Sequence, residues 1–363
     1  MGPTRAGRGL IALALKLTVR IKSNPNYFFC TTESLLLLPA IFVQMTDKHK
    51  ITKLSTRQFL ALGCVGTVGL WLAYSDQYAP KMVRELAADA GRAILLPKHT
   101  PQPAKWDPNG ITAAWLGHST VLLNFFGLTI LTDPVLFMRV GADLGIGTVG
   151  PKRLVAPALG VKDLPPIDLV LLSHAHMDHL DLPTLKRLPG KTQAVTARAT
   201  GDLFNGTKMG QATELGWGEK TSVKTPNGDV RVAAFEVKHW GARWRRDTYR
   251  GYNGYVLERE GKKIIFGGDT AMTDSFRSLR GRGPYDLAIM PIGAYQPWVC
   301  SHCTPEQSVR MANDAGAKYF LPIHHKTFKL GKEGANEPIR RLEGALEPER
   351  IALRDVGETF RLS

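Results

Sequence analysis

Short apolar segments separated by turns dominate the chain from about residue 111 onward. Runs rich in Val, Ile, Leu and Phe, bounded by Gly, Pro, Asn or Asp, predict β-strands. These strands are expected at residues 111–116, 121–125, 128–131, 167–172, 193–196, 230–237, 252–258, 263–266, 287–292, 319–323, 351–353 and 359–362. Helices are expected at residues 183–188, 305–315 and 337–346. Strands interleaved with helices predict an α/β chain of layered sheets.

Histidine and aspartate, two residue types that bind metal ions, recur where the apolar strands end. Four strands are followed by His174, His239, Asp269 and His324. The first of these opens the dense segment His-Ala-His-Met-Asp-His at residues 174–179, in a chain with only ten histidines in 363 residues. Side chains at the ends of strands from one sheet edge converge on one cleft, and imidazole with carboxylate suits a borderline divalent ion such as zinc. The alternative is a helix N-terminus with solvated histidines.

The complete candidate set favours two metal ions over one. The candidate ligands are His174, His176, Asp178, His179, His239, Asp269 and His324. A structural zinc site is closed by four ligands and typically uses cysteine, whereas seven nitrogen and oxygen ligands suit two ions with open positions for water and substrate. We expect His324 rather than His325 in the site, because neighbours on a strand face opposite ways.

Over roughly residues 105–330, the chain resembles the metallo-β-lactamase superfamily. Within it, the resemblance is greatest to the N-acylphosphatidylethanolamine-hydrolysing phospholipase D group. The motifs that carry it are Trp-Leu-Gly-His-Ser-Thr at 115–120, Leu-Thr-Asp-Pro at 131–134, Gly-Pro-Lys-Arg at 150–153, the histidine segment, Gly-Gly-Asp-Thr at 267–270, Pro-Ile-Gly-Ala-Tyr at 291–295 and His-x-x-Pro-Glu at 302–306.

The resemblance implies a four-layer αββα sandwich, with two mixed β-sheets flanked by helices, over residues 111–363. It implies that His174, His176 and His239 hold one zinc ion, that Asp178, His179 and His324 hold the other, and that Asp269 bridges both. His302 matches a histidine beside the substrate phosphate, where it could stabilise phosphoryl oxygens or protonate the leaving group. Met177 stands where these enzymes often carry an aromatic that touches substrate. Asp133 and His118 are candidates to orient the imidazoles.

The implied activity is that of a phosphodiesterase. Two zinc ions would supply a bridging hydroxide, with Asp178 and His302 in the catalytic machinery, and would cleave N-acylphosphatidylethanolamine or a related phospholipid to N-acylethanolamine and phosphatidic acid. Two alternatives stay open: a lactonase or nuclease of the same fold, and a non-catalytic membrane-associated metal-binding protein.

Charge and hydropathy set the N-terminal part of the chain apart. Residues 1–58 hold nine Lys or Arg and two Asp or Glu, about half of the net charge of +15. Residues 59–74 are apolar and uncharged and follow a basic segment, which is typical of a signal-anchor. A helix that docks on the core is the alternative, and Met45 could be the true start. We therefore expect a leader over 1–80, a helix and Pro-rich connector over 81–110, and a membrane-associated protein.

A basic stretch with aromatic residues follows His239. Arg243, Trp244, Arg245 and Arg246 precede Tyr249 and Arg250. Such a stretch suits a phospholipid surface, single-stranded nucleic acid or a solvated loop. The net charge of +8 outside residues 1–58 is too diffuse to indicate nucleic acid and is compatible with an anionic membrane surface or an anionic substrate. The resemblance implies a phospholipid substrate, so the expected partners are a phospholipid and a membrane surface. A homodimer is retained as an option.

Overall fold

The structure is a computed structural model that describes residue 89 and residues 91–143 and 147–362. The predicted leader over 1–80, with its apolar segment at 59–74, lies outside these described residues. So do residues 81–88 and 90 of the helix expected at 81–96, whereas residues 89 and 91–96 are described. Among the described residues, no helix combines the length and apolar character needed to cross a bilayer.

The first sheet is mixed and contains seven strands in the order β15-β1-β2-β3-β6-β7-β8. Its strands are β1 (Ile111–Gly117), β2 (Thr120–Phe125), β3 (Leu128–Thr132), β6 (Leu169–Leu171), β7 (Gln193–Ala197), β8 (Thr213–Leu215) and β15 (Thr359–Leu362). β15 to β3 pair antiparallel, and β3, β6, β7 and β8 pair parallel. β4 (Ala142–Asp143) and β5 (Thr148–Val149) form a separate small pair. All residues of β1, β2 and β6 are buried, which fits their continuous apolar character.

The second sheet is also mixed and contains six strands in the order β14-β13-β12-β11-β10-β9. Its strands are β9 (Lys220–Thr225), β10 (Gly228–Phe235), β11 (Gly254–Arg259), β12 (Lys262–Phe266), β13 (Tyr285–Pro291) and β14 (Ala317–Ile323). β9 to β12 pair antiparallel, and β12 to β14 pair parallel. One apolar core joins both sheets, since Leu131 and Val170 of the first cluster with Leu257 and Leu287 of the second.

The described helices are few and short. They are α1 (Leu182–Leu185), α2 (Ser275–Leu279), α3 (Pro305–Ala315) and α4 (Glu337–Ala345). α3 begins at a capping box, in which the Thr304 hydroxyl accepts from Gln307 N and the Gln307 side chain accepts from Thr304 N. Its C-cap, Gly316, has a φ of +83°, which glycine adopts readily. Together with β13 and β14, helices α2, α3 and α4 enclose a second apolar core, whereas Leu185 of α1 belongs to the first.

The strand and helix predictions are confirmed for most of the body, including α3 at its stated bounds, and the expected fold of two mixed sheets is confirmed. Two predictions are wrong. Residues 351–353 form only an isolated bridge between Phe320 and Ile351, and residues 92–96 are not helical, since Leu95 bridges to Val155. The prediction missed β9, because this edge strand is polar and buries only Val223.

Gly268 lies where the second sheet approaches the end of β6. Its φ is +56°, and a Cβ placed there would lie 2.6 Å from Ser173 Cβ. We predict that Gly268→Ala lowers the free energy of unfolding by about 1–3 kcal/mol, because the backbone is strained and the packing overfilled. Denaturant unfolding measures this, with Gly281→Ala as the control, since no atom lies within 4 Å of its added Cβ. Equal stability of the two variants would contradict the prediction.

Candidate metal centre

Both sheets contribute side chains to one cluster at their shared edge. His174 follows β6 of the first sheet, whereas His239, Asp269 and His324 follow β10, β12 and β14 of the second. The two sheets are hydrogen-bonded to each other at this point. Ser173 O accepts from Asn253 N at 2.9 Å, and the Tyr255 hydroxyl donates to Leu172 O at 2.9 Å.

Two groups of candidate ligand atoms contain six of the seven residues that the sequence singled out. The atoms of His174, His176 and His239 lie within 4.8 Å of one another. A second group, with the same spacing, joins Asp178, His179 and His324 to His118. The seventh residue, Asp269, is grouped with His239 and His302, so the structure brings all seven residues together.

Asp269 lies between the two groups. Its Oδ2 is 3.1 Å from His179 Nε2 and 3.0 Å from His324 Nε2, both in one group. The same oxygen is 3.8 Å from His239 Nε2 of the other group. This carboxylate can thus reach an ion on either side.

The buried polar atoms of the cluster fit metal binding. His174 Nε2, His176 Nε2 and Asp269 Oδ1 are buried and have no hydrogen-bond partner in the described part of the chain. A buried polar atom without a partner costs free energy, and coordination to an ion would supply the missing interaction. The donors are imidazole nitrogens and carboxylate oxygens, which is the ligand set that catalytic zinc sites use.

The charge state of these groups also suits a cation. Burial lowers the pKa of His176 to about 4 and that of His174 and His239 well below the ordinary value, so these imidazoles are neutral and free to coordinate. Burial opposes ionisation of Asp269, but His179 and His324 hold the pKa of its carboxyl well below the usual range.

The imidazoles of His179 and His324 contact the carboxylates, and their pKa values are raised rather than lowered. Although burial disfavours its charged form, Asp269 and Asp178 raise the pKa of His324 to about 9. Burial is likewise outweighed at His179, whose pKa is raised by Asp269, Asp178 and Asp133. The carboxylates therefore require compensating positive charge, which a divalent ion would supply in place of protons.

Several groups outside the seven orient them. Asp133 is fully buried, and its Oδ2 accepts from His179 Nδ1 and from the Ser173 hydroxyl, both at 2.6 Å. His118 Nε2 lies 3.0 Å from Asp178 Oδ2. His239 Nδ1 donates to Ser301 O at 2.8 Å, an acceptor that the sequence did not indicate because it lies 62 residues away. Such contacts set which ring nitrogen faces an ion.

The backbone is strained where these residues meet. His118, Asp133 and His324 have φ values of +54°, +31° and +63°, although none is glycine. The strain is held by local hydrogen bonds, since His324 N donates to His118 O at 3.0 Å and His118 N donates to Thr327 Oγ1 at 2.6 Å. Strain of this kind concentrates at functional sites.

The remaining sequence-predicted residues lie at different depths. His302 is buried beside the cluster, with its Nδ1 3.8 Å from Asp269 Oδ2. Burial lowers the pKa of His302 to about 4. Met177 is half-buried in the turn between the ligands. His325 instead stacks on Trp115, with 4.5 Å between ring centroids, and belongs to no ligand group found among the described residues.

Trp240 is a neighbour of the cluster that sequence reasoning did not identify. Its ring centroid lies 4.5 Å from that of His176 and 4.4 Å from that of His239. The available signal was its position directly after the ligand His239. Trp240 covers one side of this ligand group while remaining exposed.

We predict that Asp133→Ala weakens metal binding about 10- to 100-fold, because His179 and Ser173 lose the acceptor that orients them. Competition with a chromogenic chelator measures the affinity. Asp229→Ala is the control, since Asp229 is an exposed carboxylate on β10. If both variants retain the affinity of the unaltered protein, Asp133 has no orienting role.

Comparison with known proteins places this site in a family. Residues 129–325 match the beta-lactamase superfamily domain. An uncharacterized protein of Mycobacterium tuberculosis is 32% identical over 270 residues, which cover 72% of this chain and 71% of that protein. The N-acyl-phosphatidylethanolamine-hydrolyzing phospholipase D 1 of Caenorhabditis elegans is 31% identical over 237 residues, which cover 61% of this chain and 66% of that enzyme.

Solved structures agree on the fold. The isothiocyanate hydrolase from Delia radicum gut bacteria superposes with a TM-score of 0.55 at 19% identity, over 70% of this chain and 99% of that structure. The matched domain spans more than half of the chain and contains the histidine segment, Asp269 and His324. The chain therefore belongs to the beta-lactamase superfamily, as a metal-dependent hydrolase.

Proposed function

We propose that the protein is a zinc-dependent phosphodiesterase of the phospholipase D type, which hydrolyses N-acylphosphatidylethanolamine or a related phospholipid. The observation that carries this proposal is the pair of ligand groups on either side of the buried Asp269. The similarity to the phospholipase D of Caenorhabditis elegans supports the choice of substrate.

In this proposal the two ligand groups hold two zinc ions. His174, His176 and His239 hold one ion, Asp178, His179 and His324 hold the other, and Asp269 lies between them. When bound, two such ions supply hydroxide at neutral pH and neutralise charge that develops on the phosphoryl oxygens. The P–O bond to the N-acylethanolamine breaks as water adds to phosphorus, and the products are N-acylethanolamine and phosphatidic acid.

The protein's own residues bind and orient the substrate. His302 has a buried Nδ1 without a hydrogen-bond partner among the described residues, so this imidazole can hold a phosphoryl oxygen beside Asp269. His118 fixes Asp178 through the contact between Nε2 and Oδ2, which keeps that carboxylate in the cleft. Met177 is half-buried and stands between His176 and Asp178 in the sequence, and in this proposal its side chain contacts the substrate.

Membrane association belongs to the same proposal. The proposed substrate is held in a bilayer, and the apolar segment at residues 59–74 follows a basic stretch that is typical of a signal-anchor. We propose that the leader holds the enzyme at a membrane.

The substrate can be tested directly. We predict that the protein incubated with N-acylphosphatidylethanolamine releases equal amounts of phosphatidic acid and N-acylethanolamine, measured by mass spectrometry. His176→Ala should abolish the reaction, because it removes one of three ligands in its group. Asp229→Ala, which changes an exposed carboxylate on β10 outside the candidate ligand groups of the described residues, should not. Hydrolysis of lactones or nucleic acid alone would contradict the assignment.

Metal removal gives a second test. We predict two zinc ions per chain by elemental analysis, loss of activity after exhaustive chelation, and recovery when zinc is returned. His179→Ala should lower the zinc content, whereas Asp229→Ala should leave it unchanged. A preparation that is active with no more than trace metal would contradict the proposal.

A further inference from the structure

Two exposed tryptophans lie next to residues of the metal centre. Trp240, which contacts His176 and His239, is 39% exposed, and Trp298 is 45% exposed. Trp298 begins the turn that leads to His302, since its carbonyl accepts from His302 N at 2.9 Å. Val299, in the same turn, is also exposed. Large apolar side chains in water are unfavourable, and their grouping around a cleft indicates an interaction surface.

A third tryptophan lies on the loop after Trp240. Trp244 is 56% exposed, and its neighbours Arg245 and Arg246 are exposed as well. The loop is fixed to the histidine segment because the Arg243 guanidinium donates to Leu180 O at 2.7 Å and to Ala175 O at 3.1 Å. Trp244 is therefore anchored next to the cluster.

Hydrogen bonds to buried side chains fix the loop that carries Trp244, Arg245 and Arg246. The Asp247 carboxylate accepts from Trp244 N and from Arg250 Nε, both at 2.6 Å. Arg250 also pairs with Asp202. The acidic groups near the loop are thus occupied by Arg250, so they do not neutralise Arg245 and Arg246.

The positive charge of this surface is not compensated locally. Within the described part of the chain, neither Arg245 nor Arg246 has a carboxylate within ion-pair distance. Cationic side chains beside tryptophans match the interface of an anionic bilayer, where the indoles lie among the headgroups and the cations meet phosphate.

We infer that Trp240, Trp244, Trp298, Val299, Arg245 and Arg246 form a docking surface for an anionic phospholipid bilayer, with the metal centre opening onto it. This docking surface rests on the proposed function, since it explains how a lipid headgroup reaches a buried site. It is separate from the leader, because it lies on the catalytic body and orients the site towards the lipid. Its side chains need not take part in the reaction.

Tryptophan fluorescence of the full-length protein tests the contact. Vesicles of phosphatidylcholine and phosphatidylglycerol with brominated acyl chains quench indoles that enter the bilayer. We expect quenching of the unaltered protein to fall in the double variant Trp244→Phe, Trp298→Phe, because these indoles insert. Equal quenching in both proteins would overturn the docking surface, even if the leader inserts.

Activity on two presentations of one substrate tests the consequence. The double variant Arg245→Gln, Arg246→Gln should hydrolyse substrate in anionic vesicles roughly tenfold more slowly and substrate in detergent micelles at an unchanged rate. The control is Arg280→Gln, Arg282→Gln, which removes two exposed arginines that precede β13, at the end of the strand opposite the site. Equal losses in the two double variants, or a loss in micelles as large as in vesicles, would overturn the inference.

The two proposals fail in different ways. If no phospholipid is cleaved in micelles but the indoles are still quenched by brominated lipid, the docking surface stands and the proposed substrate is wrong. If a single-stranded oligonucleotide is bound by Arg245 and Arg246 and displaces the protein from vesicles, the surface is a nucleic-acid site and the docking inference is overturned.

Discussion

The buried carboxylate of Asp269 is the group on which the arrangement of the site depends. It is 2% exposed, and its Oδ2 lies within 3.8 Å of imidazole nitrogens from His179, His239, His302 and His324. A buried carboxylate is costly unless positive charge or hydrogen bonds compensate it. The strands and loops around Asp269 therefore have to place imidazoles, and a site for metal, next to this carboxylate. The packing of the two sheets against each other achieves this placement.

That register is kept by contacts which are not themselves ligands. Gly268 allows the second sheet to approach Ser173, and Ser173 in turn donates to Asp133, which also holds His179. The strained backbone at His118 and His324 is joined by a direct hydrogen bond. A small displacement of one residue in this network would move several candidate ligands together, because the hydrogen bonds connect them to one another.

The surface outside the centre adds a second constraint. The site is buried, yet the loop from Trp240 to Arg250 and the turn at Trp298 surround it with exposed indoles and cations. A soluble substrate would need only the cleft, whereas a headgroup held in a bilayer has to be brought to it. In the proposed reaction, the metal centre thus provides the chemistry at phosphorus and the docking surface provides access from a lipid phase.

The local signals in the sequence were strong where one segment decides the outcome. Apolar runs predicted β1, β2 and β6, because the buried residues of each strand are adjacent in the chain. The capping box of Thr304 and Gln307, which the structure shows at the start of α3, is equally local. The spacing of residues 174–179 and the strand ends at His239, Asp269 and His324 were enough to name the candidate ligands, which the structure brings together.

Tertiary structure decided what depends on residues far apart in the chain. The polar edge strand β9 pairs through its backbone, so its side chains carry little signal, and residues 351–353 are apolar but find only one bridging partner. Only the folded structure shows that Asp269 lies between the two groups and that Ser301 O accepts from His239. The same is true of the indole of Trp240 beside His302. The sequence alone was therefore enough to name the residues that could hold metal. Their arrangement in two groups around Asp269 came only from the packing of the two sheets, because those groups combine residues from both halves of the chain.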